Sequence, residues 1–419
     1  MIHNLLKQHY GFTEFRPGQE EVIQSILEGH DTLAVMPTGG GKSLCYQLPA
    51  LALGGTTLVV SPLIALMKDQ VDVLQKRGVA ASFINSSLTE KEVTKRTKEA
   101  LAGKIKILYI APERLNSDFS QVLQNIPIEL VAIDEAHCVS TWGHDFRPDY
   151  RLIKERIDSL PKRPVVSAFT ATATPEVRED IAERLGLKKP HIFVRGFDRP
   201  NLRFFTRGWL NEFLRDEEVL RLAKSLPKPG IIYAGKRSKS EELATYLTQN
   251  GVSALPYHAG LKTETRIETQ EAFMKDKVPV IVATIAFGMG VDKADVRFVI
   301  HAGMPSTLEG YYQEAGRAGR DAKPATCVLL HSGEDSALQN YFIQKAYEDS
   351  IDRGKPEAEA EAVRDVKYQK LKTMEQYVMA NACRRKMILN YFGDEASSKT
   401  ANCGACDHCL SVHIRCAQS

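Results

Sequence analysis

Short, nearly continuous runs of Val, Ile, Leu and Ala recur along the chain, each followed by a glycine or polar loop and then by text with helical spacing. In the first half they are DTLAVMP (31–37), TTLVVSP (56–62), KILYIAP (106–112), ELVAIDEAH (129–137) and VVSAFTATAT (165–174). A strand wetted on one face alternates apolar and polar residues. These runs do not, so each predicts a strand of a parallel sheet covered on both faces. Helical text such as GKSLCYQLPALAL and IALMKDQVDVLQKRG fills the gaps, which makes this an α/β layered domain. The rhythm pauses around FDRPNLRFFTRGWLNEF (197–213) and resumes with GIIYAGK (230–236), VSALPYHAG (252–260), VPVIVATIAFGMG (278–290), VRFVIHAGMP (296–305) and ATCVLLHS (325–332). A second α/β domain is therefore expected, and 419 residues at 43% hydrophobic composition are enough for two cores. From about residue 335 the strands stop, and charged helical text leads into a cysteine cluster. The polar stretch 352–365 reads as a loop or an exposed helix.

In MPTGGGKS a strand ends in a glycine run, Gly39, Gly40 and Gly41, and Lys42 and Ser43 open a helix. Backbone N–H groups of such a loop point inward at an anion, and the helix N-terminus adds its dipole. The expectation is an ATP site: Thr38 and the three glycines wrap the phosphates, Lys42 reaches the β and γ groups, and Ser43 Oγ meets Mg²⁺. Met36 stands where the first glycine of GxxxxGK[ST] belongs. The competing reading, a glycine-rich turn with an exposed lysine, ignores the strand before it and the helix after it. At the end of a later run, AIDEAH places Asp134 to hold the Mg²⁺ shell and Glu135 to orient and deprotonate the attacking water. Two adjacent carboxylates behind an apolar strand are costly to bury without a metal or hydrogen-bond donors.

The second α/β domain has no phosphate loop but carries QEAGRAGRD, in which Gln313, Arg317 and Arg320 recur every three or four residues and are expected on one helical face. Arginines presented across a domain cleft would stabilise charge on the transferring phosphoryl group. Gly316 and Gly319 lower helix propensity there and imply a close approach.

Taken with YGFTEFRPGQ, SPLIALMKDQ, YIAPERL, CVSTWGHDFRPDYR, AFTATAT, YHAGL, VATIAFGMGVDK and YYQEAGRAGRD, these boxes resemble the RecQ family of superfamily 2 DNA helicases, from about residue 5 to 410. Many helicases share the first two boxes, and far fewer share WGHDFRPDYR and FGMGVDK. The resemblance implies two tandem RecA-like parallel-sheet domains, 1–205 and 206–338, followed by a small helical zinc-binding module, 339–419. It implies that Phe12 stacks on adenine while Arg16 and Gln19 read its edge, although a core aromatic is the plain alternative for Phe12. It further implies an aromatic-rich loop in which Trp142 and Phe146 stack on bases and His144 and Arg147 relay to the ATP site. Thr170 and Thr172 resemble a motif linking the two domains, and Ser61 with Lys68 a strip along the nucleic-acid backbone. Ala322 replaces the family's usual glycine after Asp321.

Five of the eight cysteines lie at the C-terminal end, and Cys403, Cys406 and Cys409 form Cys-x-x-Cys-x-x-Cys, with Cys383 upstream after a helical run. Four thiolates suit tetrahedral Zn²⁺, as in the zinc cluster of that family. An iron–sulfur centre also takes four cysteines. Cys416, His408 and His413 are left over, and either histidine could replace one thiolate.

Lys and Arg number 55 against 52 Asp and Glu, a net charge of +3, so a nucleic-acid partner must be held by local basic surface. No apolar run approaches the roughly 20 residues that span a bilayer, and the N-terminal text lacks an export signature. The expectation is a soluble monomer in the cytoplasm, at a bacterial nucleoid, with no membrane contact. It is expected to be an ATP-dependent DNA helicase moving 3′ to 5′ on single strands in repair or recombination. Single-stranded and tailed duplex DNA would be its substrates, and a single-strand-binding protein or other repair proteins its partners. Family members often continue into a winged-helix domain, whereas residues 410–419 alone follow Cys409, so dependence on a single-stranded loading tail is expected. The alternatives are a DNA-stimulated ATPase or binding module that does not separate strands, and an RNA helicase.

Overall fold

A computed structural model describes all residues except 38, 63, 117–118, 141, 144–145, 209–210, 289–292, 395–401 and 412–419. Two compact units form, Met1–Phe197 and Asp198–Ser419.

The first unit is built on a seven-stranded parallel sheet. Its strands are β1 (Thr32–Val35), β2 (Thr56–Val60), β3 (Ala81–Ile84), β4 (Ile107–Ile110), β5 (Ile128–Ile133), β6 (Val165–Thr170) and β7 (His191–Val194), in the order β3-β4-β2-β5-β6-β1-β7. Every residue of β1, β2 and β4 is buried, as their unbroken apolar text requires. One face packs on helices that bring Ile23, Tyr46 and Met67 into a common core with Phe169. The five expected strands are all present, and β3 and β7, which had not been anticipated, are the two edges. The order sets β2, β5, β6 and β1 side by side, so their carboxyl ends deliver Ser61, Asp134, Thr170 and the glycine loop to one rim of the sheet. That rim is where open α/β sheets bind ligands.

The second unit repeats the plan with six parallel strands. They are β8 (Leu202–Gly208), β9 (Gly230–Tyr233), β10 (Ala254–Tyr257), β11 (Val280–Ala283), β12 (Phe298–His301) and β13 (Ala325–His331), in the order β10-β11-β9-β12-β13-β8. Edge strand β8 lies inside the apparent pause in the sequence rhythm, and its seven residues pair in register with all of β13. The sequence-based boundary at 205/206 thus falls within β8, and the unit starts at Asp198. Helices Gly333–Asp352, Glu357–Met379 and Arg384–Tyr391 follow β13. Most of the polar stretch 352–365 is helical, starting just after Pro356. Among the described residues no helix is long and apolar enough to cross a membrane.

Candidate functional site

The loop after β1 turns through Gly39 and Gly41, at φ +83° and +78°, and enters the helix Lys42–Ala52. A left-handed backbone is costly for any residue with a side chain. At Gly41 a Cβ would also lie 2.4 Å from Gln19 Nε2 and displace that amide. Gln19 is buried against the loop, donating to the carbonyls of Gly40 (3.1 Å) and Gly41 (3.4 Å) while its Oε1 accepts from the Arg16 N–H at 2.9 Å. The Arg16 guanidinium donates to the Gly39 carbonyl. Both residues expected to read adenine therefore brace the phosphate loop. Lys42 Nζ donates to the Met36 carbonyl at 3.1 Å, so the ammonium lies folded over the loop. Thr38 lies outside the described residues.

At the end of β5, Asp134 is 8% exposed. Burial, reinforced by the neighbouring Glu135 carboxylate and only partly offset by Lys42, pushes its carboxyl up to about 7. Ser61 Oγ donates to it at 3.4 Å, and the Glu135 N–H at 3.0 Å. A buried acid held this far above its ordinary range lacks a compensating positive charge, and a divalent cation supplies one. Asp134 thus fits as a ligand in a Mg²⁺ shell. Glu135 has a left-handed backbone, φ +47°, and its buried Oε2 accepts no hydrogen bond but lies 3.4 Å from His137 Nδ1. A strained, under-satisfied carboxylate points to function rather than stability. His137 Nδ1 in turn lies 2.9 Å from Thr170 Oγ1, which receives the Thr172 N–H at 3.3 Å. His137 was missed as a site residue, although it is the last letter of DEAH.

Phe12 is 52% exposed, which removes the core alternative for that aromatic. Trp142 is 44% exposed, and its backbone N–H donates to Ser140 Oγ at 3.1 Å. Phe146 is half-buried beneath the Arg151 guanidinium at 4.9 Å, and the Arg147 N–H donates to the Cys138 carbonyl at 2.9 Å. His144 lies outside the described residues. Lys68 is exposed on the helix Ile64–Lys76, whereas Ser61 is buried beside Asp134 rather than on a surface strip.

The arginine motif needs one correction. Its helix runs only from Leu308 to Ala315, so Gln313 is helical, while Arg317 and Arg320 lie in the turns that follow and share no helical face with it. Past Ala315 the carbonyls of these turns are held by distant side chains. Arg199 donates to Gly316 (3.4 Å), Ala318 (2.9 Å) and Gly319 (2.8 Å), and Asn201 to Gly319 (2.8 Å) and Lys323 (2.9 Å). Gly319, at φ +56°, could not carry a Cβ, which would meet Asn201 Nδ2 at 2.5 Å. Arg317 is 6% exposed and donates to the Gly288 carbonyl of its own unit. Arg320 is half-buried.

The Sγ atoms of Cys383, Cys403, Cys406 and Cys409 all lie within 4.8 Å of one another, and those of Cys403 and Cys409 are 3.8 Å apart. A Zn–S bond of about 2.3 Å sets the sulfurs of a tetrahedron about 3.8 Å apart, so the donor set fits one zinc ion. Sulfurs in mutual reach suit a single ion better than the wider cage of an iron–sulfur core. Burial raises the Cys383 thiol, but N–H donors from Cys403 and Lys386 together with the Cys403 and Cys409 thiols outweigh it and bring it down to about 7. His408 Nδ1 is 3.0 Å from Asn381 Oδ1 and does not join the group; His413 and Cys416 lie outside the described residues. Asp407, between two ligands, accepts from Thr206 N–H (3.0 Å), Thr206 Oγ1 (2.8 Å) and Arg384 Nε (3.0 Å), and its own N–H donates to the Phe204 carbonyl at 3.2 Å. The cysteine knuckle is thereby stitched to the free edge of β8.

Family models match in three consecutive blocks. DEAD/DEAH box helicase covers residues 16–181, helicase conserved C-terminal domain 212–322, and RecQ zinc-binding 333–410. The ATP-dependent DNA helicase RecQ of Bacillus subtilis (strain 168) is 43% identical over 419 residues, spanning 99% of this chain and 68% of that protein. The protein of the same name from Pasteurella multocida (strain Pm70) is 43% identical over 405 residues, spanning 96% and 62%. The chain thus spans 62–68% of the length of these relatives. Among solved structures, S. cerevisiae Dbp5 bound to RNA and ADP BeF3 aligns with a TM-score of 0.63 at 19% identity, over 88% of this chain and 97% of that one. At that identity the likeness is one of fold.

Proposed function

Since the chain belongs to the RecQ family of DNA helicases, we propose that it is an ATP-driven DNA helicase core that translocates 3′ to 5′ on single-stranded DNA and separates duplex strands in repair or recombination. The observation that carries this reading is the rim of the first sheet. A glycine loop with Lys42 stands there beside a buried Asp134 in need of a cation and an under-satisfied Glu135, and His137 ties that acid pair to Thr170. In this reading Lys42 holds the β and γ phosphates, and Glu135 orients water and takes its proton. Mg²⁺, held by Ser43 and Asp134, would neutralise phosphate charge. Gln313, Arg317 and Arg320 of the second unit stabilise the transferring phosphoryl group, Phe12 stacks on adenine, and Trp142, Phe146 and Lys68 meet the single strand.

The three-part division, with 339–419 as a module folded around Zn²⁺, is part of the same proposal, as are a monomeric state, single-stranded and tailed duplex DNA as substrates, and a place of action at the nucleoid. Unwinding of 3′-tailed against 5′-tailed duplexes with ATP and Mg²⁺ is the test. Strand separation confined to the 3′-tailed substrate is expected. DNA-stimulated ATP hydrolysis without separation on either substrate would favour a remodelling ATPase instead.

A further inference from the structure

Glu309 stands in the first turn of the arginine-motif helix, is 2% exposed, and is ion-paired to Lys370 of the helix Glu357–Met379, whose own side chain is 11% exposed. Burying two charges costs more than their attraction commonly returns, and an apolar pair of the same volume would hold two helices together at least as well. What such a pair adds is position, because only one rotation and register lets ammonium meet carboxylate. Ring contacts between Tyr311 and Tyr377 (5.5 Å) and between Tyr312 and Phe392 (5.2 Å) fill the space beside it.

The other end of the motif is held from the same direction. Arg385, two residues after the ligand Cys383, is ion-paired to Asp198. The next residue, Arg199, is the one whose guanidinium gathers the carbonyls of Gly316, Ala318 and Gly319. The turns bearing Arg317 and Arg320 therefore hang from Arg199, and the segment of Arg199 is fastened to the helix Arg384–Tyr391 that follows Cys383.

We propose that the C-terminal helices clamp the arginine motif at both ends, with Lys370 and Arg385 as positioning residues for Arg317 and Arg320. The clamp rests on the reading of the chain as an ATPase, and it gives the cysteine module a role in phosphoryl transfer without any contact to nucleotide.

Lys370→Met and Arg385→Gln are tested separately in the full chain, so that a folding failure of one leaves the other. Each should lower kcat for DNA-stimulated ATP hydrolysis about tenfold while KM for ATP and single-strand affinity change by less than about twofold, the mark of an interaction felt in the transition state. Bound zinc should stay at the wild-type level. The N–H groups of Gly319 and Asp321, bonded to the Val296 and Ala294 carbonyls, should exchange with solvent faster than in the wild type. Charge exchange, Lys370→Glu with Glu309→Lys, should recover activity that Lys370→Glu alone loses. Folded variants with wild-type kcat and wild-type exchange would overturn the clamp, as would a loss carried entirely by KM. A wild-type chain without DNA-stimulated hydrolysis would overturn the reading of function, and the clamp with it.

Discussion

His137 Nδ1 lies 2.9 Å from Thr170 Oγ1, joining two residues 33 positions apart through the adjacency of β5 and β6 in the sheet. Both side chains are buried, and the hydroxyl is shared with the backbone N–H of Thr172. The acid pair is thereby linked through His137 to the segment after β6.

His137→Ala and Thr170→Val should each slow DNA-stimulated ATP hydrolysis, and the double variant should be little worse than either alone. Groups in one hydrogen-bonded network show coupling of about 0.5–3 kcal/mol, which a double-mutant cycle on kcat reads directly. Additive losses would mean that the contact carries no coupling.

Lys42→Ala should abolish hydrolysis and unwinding while single-strand affinity, measured without nucleotide, stays within about twofold of wild type, because phosphate contacts by other residues carry that binding. Normal turnover in this variant would remove the phosphate-loop assignment.

Asp134→Asn should separate stability from activity. The carboxylate is buried beside Glu135 without a full countercharge, so the neutral amide should stabilise the Mg²⁺-free chain by about 1–3 kcal/mol in thermal or denaturant unfolding, within the range for buried polar groups. Hydrolysis should be lost. A less stable Asn variant would show that Asp134 is already well compensated in the folded chain.

How much of this was legible in the residues follows from what each feature depends on. The ten apolar runs all became strands because central strands of a parallel sheet are wrapped on both faces and their text is unbroken. The strands that escaped notice, β3, β7 and β8, are all edges, where Ser82, His191 and Arg203 interrupt the run. Lys42, the DEAH acids and the run Cys403, Cys406 and Cys409 were legible because local spacing brings each set together, whereas Cys383 joins its group from 20 residues upstream. The end of the arginine helix was not legible. There the chain passes into turns whose carbonyls are held by Arg199, 117 residues before Gly316. The His137–Thr170 contact was hidden for the same reason, since it depends on strand order.

Trp142→Ala should uncouple the machine. The ring is 44% exposed and so available for stacking, and removing it should cost at most about 1–3 kcal/mol of single-strand affinity. Stimulation of ATP hydrolysis by DNA should fall far more than binding does. Stimulation that survives would mean the ring serves packing alone.

Metal removal should be visible on a strand that holds no metal ligand. Thr206 donates its N–H to Asp407 at 3.0 Å, and Asp407 donates its own to the Phe204 carbonyl at 3.2 Å, so the knuckle supplies the bonds that an edge strand otherwise leaves open. Asp407 lies between Cys406 and Cys409, and an ion shared by those two cysteines would fix its position. A chelator strong enough to strip zinc should therefore speed hydrogen exchange at Thr206, while Ile231 and Val299, in central strands, keep their protection. Cys406→Ser should do the same and bind less than one equivalent of zinc per chain by elemental analysis. Exchange at Thr206 that ignores metal content would show that the knuckle stays docked on β8 through Arg384 and Asp407 alone, and zinc would then hold together only the four cysteines.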